Sequence, residues 1–159
     1  MGTRRKIAMD TIRLIQIGVI HSPYKSAGDA PFQGRHRNDD STIEVFEAYE
    51  PALLHIEHCS HLIVLYWADR ANRKVLQTRT PWGPEVHGVF ATRSCNRPNT
   101  ISLCVVELLE RKGRFLKVKG MDALDGSPLI DIKPYSPQVD SVQNARIGWH
   151  KKGDLRTSE

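Results

Sequence analysis

Two stretches of the sequence carry charged groups at spacings that suit ligand binding. The stretch 90–99, FATRSCNRPN, places the guanidinium groups of Arg93 and Arg97 four residues apart beside hydroxyl and amide side chains. Arginine suits the planar, bidentate capture of a carboxylate or a phosphate. The stretch 120–128, GMDALDGSP, places Asp122 and Asp125 on a turn, where carboxylates can hold ribose hydroxyls or face a cation. Two plainer readings stay open: Asp125 serves the turn alone, and Arg93 is a surface ion-pair partner.

A third stretch, APFQG at 30–34, lies in a polar segment spanning 26–41. A long loop inside a compact domain is often functional.

His55, His58 and His61 follow one another at intervals of three residues. This spacing spreads their side chains around a helix and into a strand, so we expect no metal site. Cys95 lies among the arginines, but no partner histidine follows in a recognisable motif.

The composition is that of a single soluble domain with a basic balance. The chain has 159 residues, a formal net charge of +5 and 40% hydrophobic residues. Excess positive charge favours a polyanionic partner such as nucleic acid, because neutralising phosphates releases counterions. The three cysteines, Cys59, Cys95 and Cys104, match no disulfide or zinc motif and indicate a reduced, cytoplasmic setting. We expect no membrane association, because no stretch approaches the ~20 apolar residues of a span.

The elements that must position these groups are mostly short strands. The apolar runs predict strands at 14–20, 42–46, 61–67, 88–92, 101–109, 115–119 and 129–132, one helix at 51–57, and loops at 26–41 and 69–84. This pattern predicts a mainly β fold, a small, closed or partly open β-barrel with one or two short helices. We predict a tail at 1–12, a barrel domain at 13–150 and a second tail at 151–159.

Over residues 14–149 the sequence resembles the TsaA/TrmO-like family. The resemblance is carried by RSCNRPN at 93–99 together with DGSPLIDIKPY at 125–135, and by IGVIHSPYK at 17–25, SHLIVL at 60–65 and DSVQNAR at 140–146. It implies a small β-barrel that binds S-adenosylmethionine and forms a homodimer. It also implies N6-methylation of N6-threonylcarbamoyladenosine next to a tRNA anticodon.

Carried over position by position, the resemblance gives a set of cofactor contacts: Pro31, Phe32, Gln33, Asp69, Arg70, Arg93, Leu103, Asp122, Ala123, Leu124 and Asp125. The sequence departs from the family in two places. Asp69-Arg70 stands where bacterial members often have His-Gln, and we expect no counterpart of the extra C-terminal domain of longer bacterial members. The 11 glycines include no pair separated by a single residue. A Rossmann-type cofactor turn is therefore not expected, and loops around a barrel must bind the cofactor.

The expected roles follow from side-chain chemistry. Phe32 packs on the adenine or the methionine chain, Arg93 holds the methionine carboxylate, and Asp122 or Asp125 holds the ribose. The predicted substrate contacts are Arg35, Arg37, Arg97, Asn99 and Lys133. No catalytic base is identified, and the two candidates are Asp131 and Tyr135. Two alternatives stay open: the same barrel methylating a small molecule, and a non-catalytic barrel that binds a nucleotide or RNA.

Overall fold

Six antiparallel strands form a closed barrel in the computed structural model, which describes residues 10–34 and 37–150. The barrel strands are β1 (Gly18–His21), β2 (Asp40–Val45), β3 (His61–Trp67), β6 (Ile101–Lys112), β7 (Phe115–Lys119) and β8 (Ser127–Pro134), in the order β1-β2-β7-β6-β3-β8. The strands β4 (Gln77–Thr80) and β5 (Gly83–Gly88) form a separate hairpin. The predicted mainly β barrel is confirmed, and it is closed rather than partly open because β1 pairs with β8.

Every second residue of each barrel strand faces inward, and these side chains fill the barrel interior. In β3, Leu62, Val64 and Tyr66 are buried, while the residues between them lie on the outer face. Ile20 and Ile43 from neighbouring strands are fully buried in the same core. Each such side chain contributes roughly 1.5–3 kcal/mol of hydrophobic stabilisation. The alternation therefore fixes which residues face outward and can take part in binding.

Two sequence-based assignments around the hairpin are wrong. Residues 69–84 were expected to be a loop, but they contain β4 and the start of β5. This ribbon is exposed along most of its length, so its strands carry no apolar alternation to reveal them. Residues 88–92 were expected to be a strand, but they contain the 3-10 helix Val89–Ala91, in which Thr92 donates its amide to the carbonyl of Val89.

The helix expected at 51–57 is replaced by two short 3-10 helices, Glu47–Leu53 and Ile56–His58. Pro51 lies inside the first one, and His55 between them has a positive φ of 67°. Across the described ranges the single α-helix is one turn, α1 (Pro137–Asp140). Within those same ranges, no helix has the length and apolar character needed to cross a membrane.

The chain connections are divided between the two ends of the barrel. One end, called the loop end here, receives the connections 22–39, 68–100 and 120–126, because β1, β3 and β7 end there and β2, β6 and β8 begin there. The opposite end receives the connection 46–60, the turn between β6 and β7 and the exit from β8. All three chemically promising stretches of the sequence therefore meet at the loop end.

Candidate active site

A small cavity of about 100 Å³ lies at the loop end of the barrel, between the three stretches. It is lined by Phe32, Gln33, Arg93, Ser94, Arg97, Ile101, Ser102, Leu103 and Asp122. Five of the predicted cofactor contacts are among them, at positions 32, 33, 93, 103 and 122, so the fold brings separate stretches of the chain together. The cavity is called the loop-end pocket below.

The segment 31–34 is held against the barrel by a close backbone contact. A Cβ atom added at Gly34 would lie 1.8 Å from the carbonyl oxygen of Gly120, so only glycine fits there. Gly120 itself has a positive φ of 89°, and its carbonyl accepts a hydrogen bond of 3.0 Å from the buried Cys104 thiol. This anchoring leaves the Phe32 ring 83% exposed beside the pocket, where it can cover a planar ligand.

The two arginines of the stretch 90–99 have different environments. Arg97 is turned into its own loop, where its guanidinium donates to the carbonyls of Ser94 (2.8 Å), Val89 (2.5 Å) and Thr92 (2.6 Å). Arg93 is exposed at the pocket, and its side chain forms no hydrogen bond or ion pair with another residue in 10–34 or 37–150. Arg97 therefore shapes the loop, and Arg93 is the guanidinium that remains available to an anionic ligand.

Asp122 presents a partly buried carboxylate to the loop-end pocket. Its Oδ1 accepts a hydrogen bond of 3.0 Å from the hydroxyl of Tyr66, an inward-facing residue of β3. Burial raises the pKa of the Asp122 carboxyl above its ordinary value, although the hydrogen bond from Tyr66 and the charge of Arg93 act in the opposite direction. Burial also raises the pKa of the Tyr66 hydroxyl, so Tyr66 keeps its proton and stays a donor.

Asp125 is already engaged by groups of the protein. Its Oδ1 accepts the amide of Ser22 at 3.0 Å, and its Oδ2 pairs with the ammonium of Lys25 at 2.5 Å. These interactions, with that from Lys25 the largest, hold the pKa of the Asp125 carboxyl below its ordinary value. The turn expected at Asp125-Gly126 is present, and Gly126 has a positive φ of 80°. The Asp125 side chain therefore fixes the turn to β1.

The remaining predicted cofactor residues surround the pocket without lining it. Pro31 precedes Phe32, and Ala123 is held through its carbonyl by the Ser22 hydroxyl at 2.7 Å, next to Leu124. Arg70 donates to the carbonyl of Asp125 at 2.9 Å and also pairs with its neighbour Asp69. Asp69 and Arg70 therefore connect the end of β3 to the turn before β8.

The catalytic and substrate candidates are more widely scattered. Tyr135 lies at the opposite end of the barrel, because its amide donates to His61 at the start of β3. Asp131 pairs with Lys133 at 2.8 Å on the barrel wall. Asn99 and Arg37 are exposed at the loop end, and Arg35 lies outside the described residues. The structure thus brings neither base candidate to the pocket.

Three pocket-lining residues were not predicted from the sequence, Ser94, Ile101 and Ser102, and neither was Tyr66, the hydrogen-bonding partner of Asp122. Ile101 and Ser102 begin β6, and Tyr66 pairs with Ser102 across the sheet. The alternation of β3 was the available signal, since it places the hydroxyl-bearing Tyr66 inside the barrel near the strand's end.

A second, shallower cavity of about 440 Å³ lies at the opposite end of the barrel and is lined by Glu47, Glu50, Pro51, Leu54 and Arg111. None of the predicted site residues lines it. In the part of the chain that the structure describes, no three His, Cys, Asp or Glu side chains are grouped to hold a metal ion. The loop-end pocket is therefore the candidate active site.

Fold and site together define a six-stranded β-barrel with a loop-built pocket that combines an aromatic ring, a guanidinium and a carboxylate. Residues 19–141 match the model of the tRNA-methyltransferase O N-terminal domain, and the chain belongs to that family.

Several relatives carry informative names. A "Probable S-adenosyl-L-methionine-binding protein" from Archaeoglobus fulgidus is 57% identical over 92% of this chain and 40% of its own length. A second A. fulgidus protein, an "S-adenosyl-L-methionine-binding protein", is 53% identical over 79% of this chain and 91% of its own length. The "tRNA (adenine(37)-N6)-methyltransferase" of Escherichia coli is 34% identical over 89% of this chain and 65% of its own length.

The fold is similar to that of TrmO from Pseudomonas aeruginosa, a crystal structure that aligns with a TM-score of 0.76 and 31% identity. The alignment covers 94% of this chain and 65% of that one. The chain thus spans less than half of the first A. fulgidus relative and just under two thirds of TrmO.

Proposed function

We propose that this protein is an S-adenosylmethionine-dependent methyltransferase that acts on the N6 position of a tRNA adenosine, with N6-threonylcarbamoyladenosine next to the anticodon as the acceptor. The observation that carries the proposal is the convergence of Phe32, Gln33, Arg93, Leu103 and Asp122 on one pocket. Family membership and the names of the relatives support it. A cytoplasmic location is part of the same proposal.

The residues of the loop-end pocket fit this cofactor. The exposed Phe32 ring offers a stacking face, and the Arg93 guanidinium has no partner among the described residues and suits a carboxylate. The backbone of the turn 122–125 supplies hydrogen-bonding groups for a ribose, and Arg70, paired with Asp69, braces this turn. When bound, the cofactor supplies an electrophilic methyl group on a sulfonium. The protein's own contribution is mainly to position the acceptor nitrogen against that methyl group.

Arg93→Ala is expected to weaken S-adenosylmethionine binding at least tenfold, because a charge-assisted hydrogen bond to the carboxylate is lost. Isothermal titration calorimetry of the full chain measures the affinity. Arg146→Ala removes an arginine far along the sequence from the pocket-lining segments and serves as the control. An Arg93→Ala affinity equal to that of the wild type would show that the assignment is wrong.

The methyl acceptor is tested with labelled S-adenosylmethionine and bulk tRNA from cells lacking the gene, followed by mass spectrometry of the nucleosides. We expect the N6-methylated threonylcarbamoyl nucleoside to appear. Cofactor binding without tRNA methylation would favour a small-molecule acceptor, and no cofactor binding would favour a non-catalytic barrel. Either outcome would overturn the proposed function.

For tRNA, we propose contacts from Asn99 and from basic residues around the loop end, among them Arg37, Arg73, Lys74 and Arg79. Arg35, which lies outside the described residues, and Lys133, which pairs with Asp131 on β8, complete the proposed set. Arg97 fits a loop-holding role better than a substrate contact, because three carbonyls already occupy its guanidinium. Phosphate contacts release counterions, so tRNA affinity should fall steeply as salt is raised.

A homodimer is also proposed, with the outer face of β3 and β6 as its interface. Ile63, Leu65 and Trp67 lie there opposite Val105, Leu103 and Ile101, and Leu103 remains 42% exposed although it is apolar. A second copy would cover this face.

Sedimentation equilibrium should give a mass twice that of one chain. The substitution Val105→Glu should lower the measured mass to that of one chain. A wild-type protein that sediments as a monomer at micromolar concentration would exclude the interface.

A further inference from the structure

Methyl transfer to an N–H nitrogen requires a group that takes up a proton. Among the residues that line the loop-end pocket, Asp122 is the carboxylate, and the others are neutral or cationic. The two earlier candidates, Asp131 and Tyr135, do not line it. A general base must lie within hydrogen-bonding reach of the proton it removes, so position in the pocket is the first criterion.

We propose that the Asp122 carboxylate accepts the proton that the acceptor nitrogen releases during methyl transfer, and that Tyr66 is the positioning residue for this carboxylate. The inference rests on the proposed function and adds the base to it. The sequence predicts that Asp122 or Asp125 holds the ribose of the cofactor; with Asp122 as the base and Asp125 engaged by Ser22 and Lys25, ribose binding is left to the backbone of the turn 122–125.

The step balances as follows. The lone pair of the acceptor nitrogen forms the new N–C bond to the methyl carbon, and the electron pair of the C–S bond returns to sulfur, which changes from a sulfonium to a neutral thioether. The nitrogen keeps the electron pair of its N–H bond, and the proton passes to Asp122. The carboxylic acid then gives this proton to water when the products leave. No oxidant, reductant or further reactant is needed.

The surroundings of Asp122 suit this role. Tyr66 is only 7% exposed and is fixed within β3, so its hydroxyl, 3.0 Å from Oδ1, holds the carboxylate in one place. Partial burial raises the pKa of the carboxyl, which makes its ionised form a stronger base than an exposed aspartate. The titratable and charged groups around it come from two strands and two loops: Tyr66 of β3, Cys104 of β6, Tyr24 of the loop after β1, and Arg93 and Arg97 of the loop before β6.

The first test is Asp122→Asn, assayed with labelled S-adenosylmethionine and tRNA. We expect kcat to fall by about 100-fold or more, the usual contribution of a general base, while cofactor affinity by calorimetry changes less than about threefold. Asp40→Asn, an exposed aspartate paired with Lys117, is the matched control and should keep its kcat. A kcat loss below about tenfold overturns the proposal, and so does a cofactor affinity that falls in proportion to the rate.

The second test is Tyr66→Phe, which stays decisive if Asp122→Asn fails to fold. Tyr66 donates to the ionised carboxylate and lowers its pKa, so its removal should move the acidic limb of the kcat–pH profile upward by about 0.5–1 pH unit. Tyr49→Phe is the control and should leave the limb in place. An acidic limb that stays or moves downward in Tyr66→Phe contradicts the proposal.

A readout independent of turnover comes from carbon-13 NMR of the Asp122 carboxyl in the cofactor-free protein. Its titration midpoint should lie above that of an ordinary aspartate and rise further in Tyr66→Phe. A midpoint below the ordinary value overturns the inference. The two hypotheses fail differently: a wild-type protein with no methyl transfer contradicts the proposed function, whereas an active wild type with an active Asp122→Asn contradicts only the base.

Discussion

Gly34→Ala is expected to lower S-adenosylmethionine affinity by tenfold or more while the barrel stays folded. The added Cβ would lie 1.8 Å from the Gly120 carbonyl oxygen and 2.6 Å from its carbon, so the segment 31–34 must move away from the barrel. Both atoms belong to the backbone, which cannot rotate aside as a side chain can. The displacement carries Phe32 and Gln33 away from the pocket. Overpacking of this kind costs about 1–3 kcal/mol of stability.

Calorimetry measures the cofactor affinity, and far-ultraviolet circular dichroism checks that the barrel persists. Gly28→Ala is the matched control in the same loop, because no atom lies within 4 Å of a Cβ at that position. We expect Gly28→Ala to bind like the wild type. If Gly34→Ala also binds like the wild type, the segment 31–34 does not contribute to the cofactor site.

Arg97→Ala is expected to cause the largest loss of stability among the loop-end substitutions, about 3 kcal/mol. Hydrogen bonds from a charged donor contribute roughly 1.5–3 kcal/mol each, and the three carbonyls of Val89, Thr92 and Ser94 lose a shared donor. Urea unfolding measures the free energy of unfolding. The loop should also loosen around Arg93, so cofactor affinity should fall together with stability.

Arg97→Lys separates charge from geometry in this prediction. Lysine keeps the positive charge but cannot reach three carbonyls with a planar fork, so we expect it to recover less than half of the lost stability. If Arg97→Lys is as stable as the wild type, charge alone explains the effect. If Arg97→Ala leaves the free energy of unfolding unchanged, the hydrogen bonds to the loop carbonyls do not hold the loop.

Most strands of the barrel could be predicted from the sequence. Alternating apolar residues in β3, and the pair of runs joined by Arg111-Lys112-Gly113, identified strands because each barrel strand has one buried face. The hairpin β4–β5 was missed because neither of its strands has a buried face, so its sequence has no alternation of apolar and polar residues. The apolar run around Phe90 led to a strand being predicted where there is none, because Phe90 is 84% exposed in the 3-10 helix Val89–Ala91.

The residues of the pocket could be predicted only in part. Resemblance named Phe32, Arg93 and Asp122, and the fold brings them together. Residue type alone could not distinguish the roles of Arg93 and Arg97, or of Asp122 and Asp125, because each pair has the same chemistry. The members of each pair differ in their partners within the chain: Arg97 donates to loop carbonyls, and Asp125 pairs with the ammonium of Lys25. Only the three-dimensional structure supplies those partners.

The contacts between β1 and the turn before β8 join parts of the chain that are far apart in sequence. Ser22 bonds to Ala123 and Asp125 across separations of 101 and 103 residues, next to the pairing that closes the barrel. Contacts between residues so far apart in sequence have a loop-closure cost that must be offset before they stabilise the fold. We therefore expect the turn that carries Asp122 to take its final shape only when the barrel closes, so that closure of the barrel also assembles the pocket.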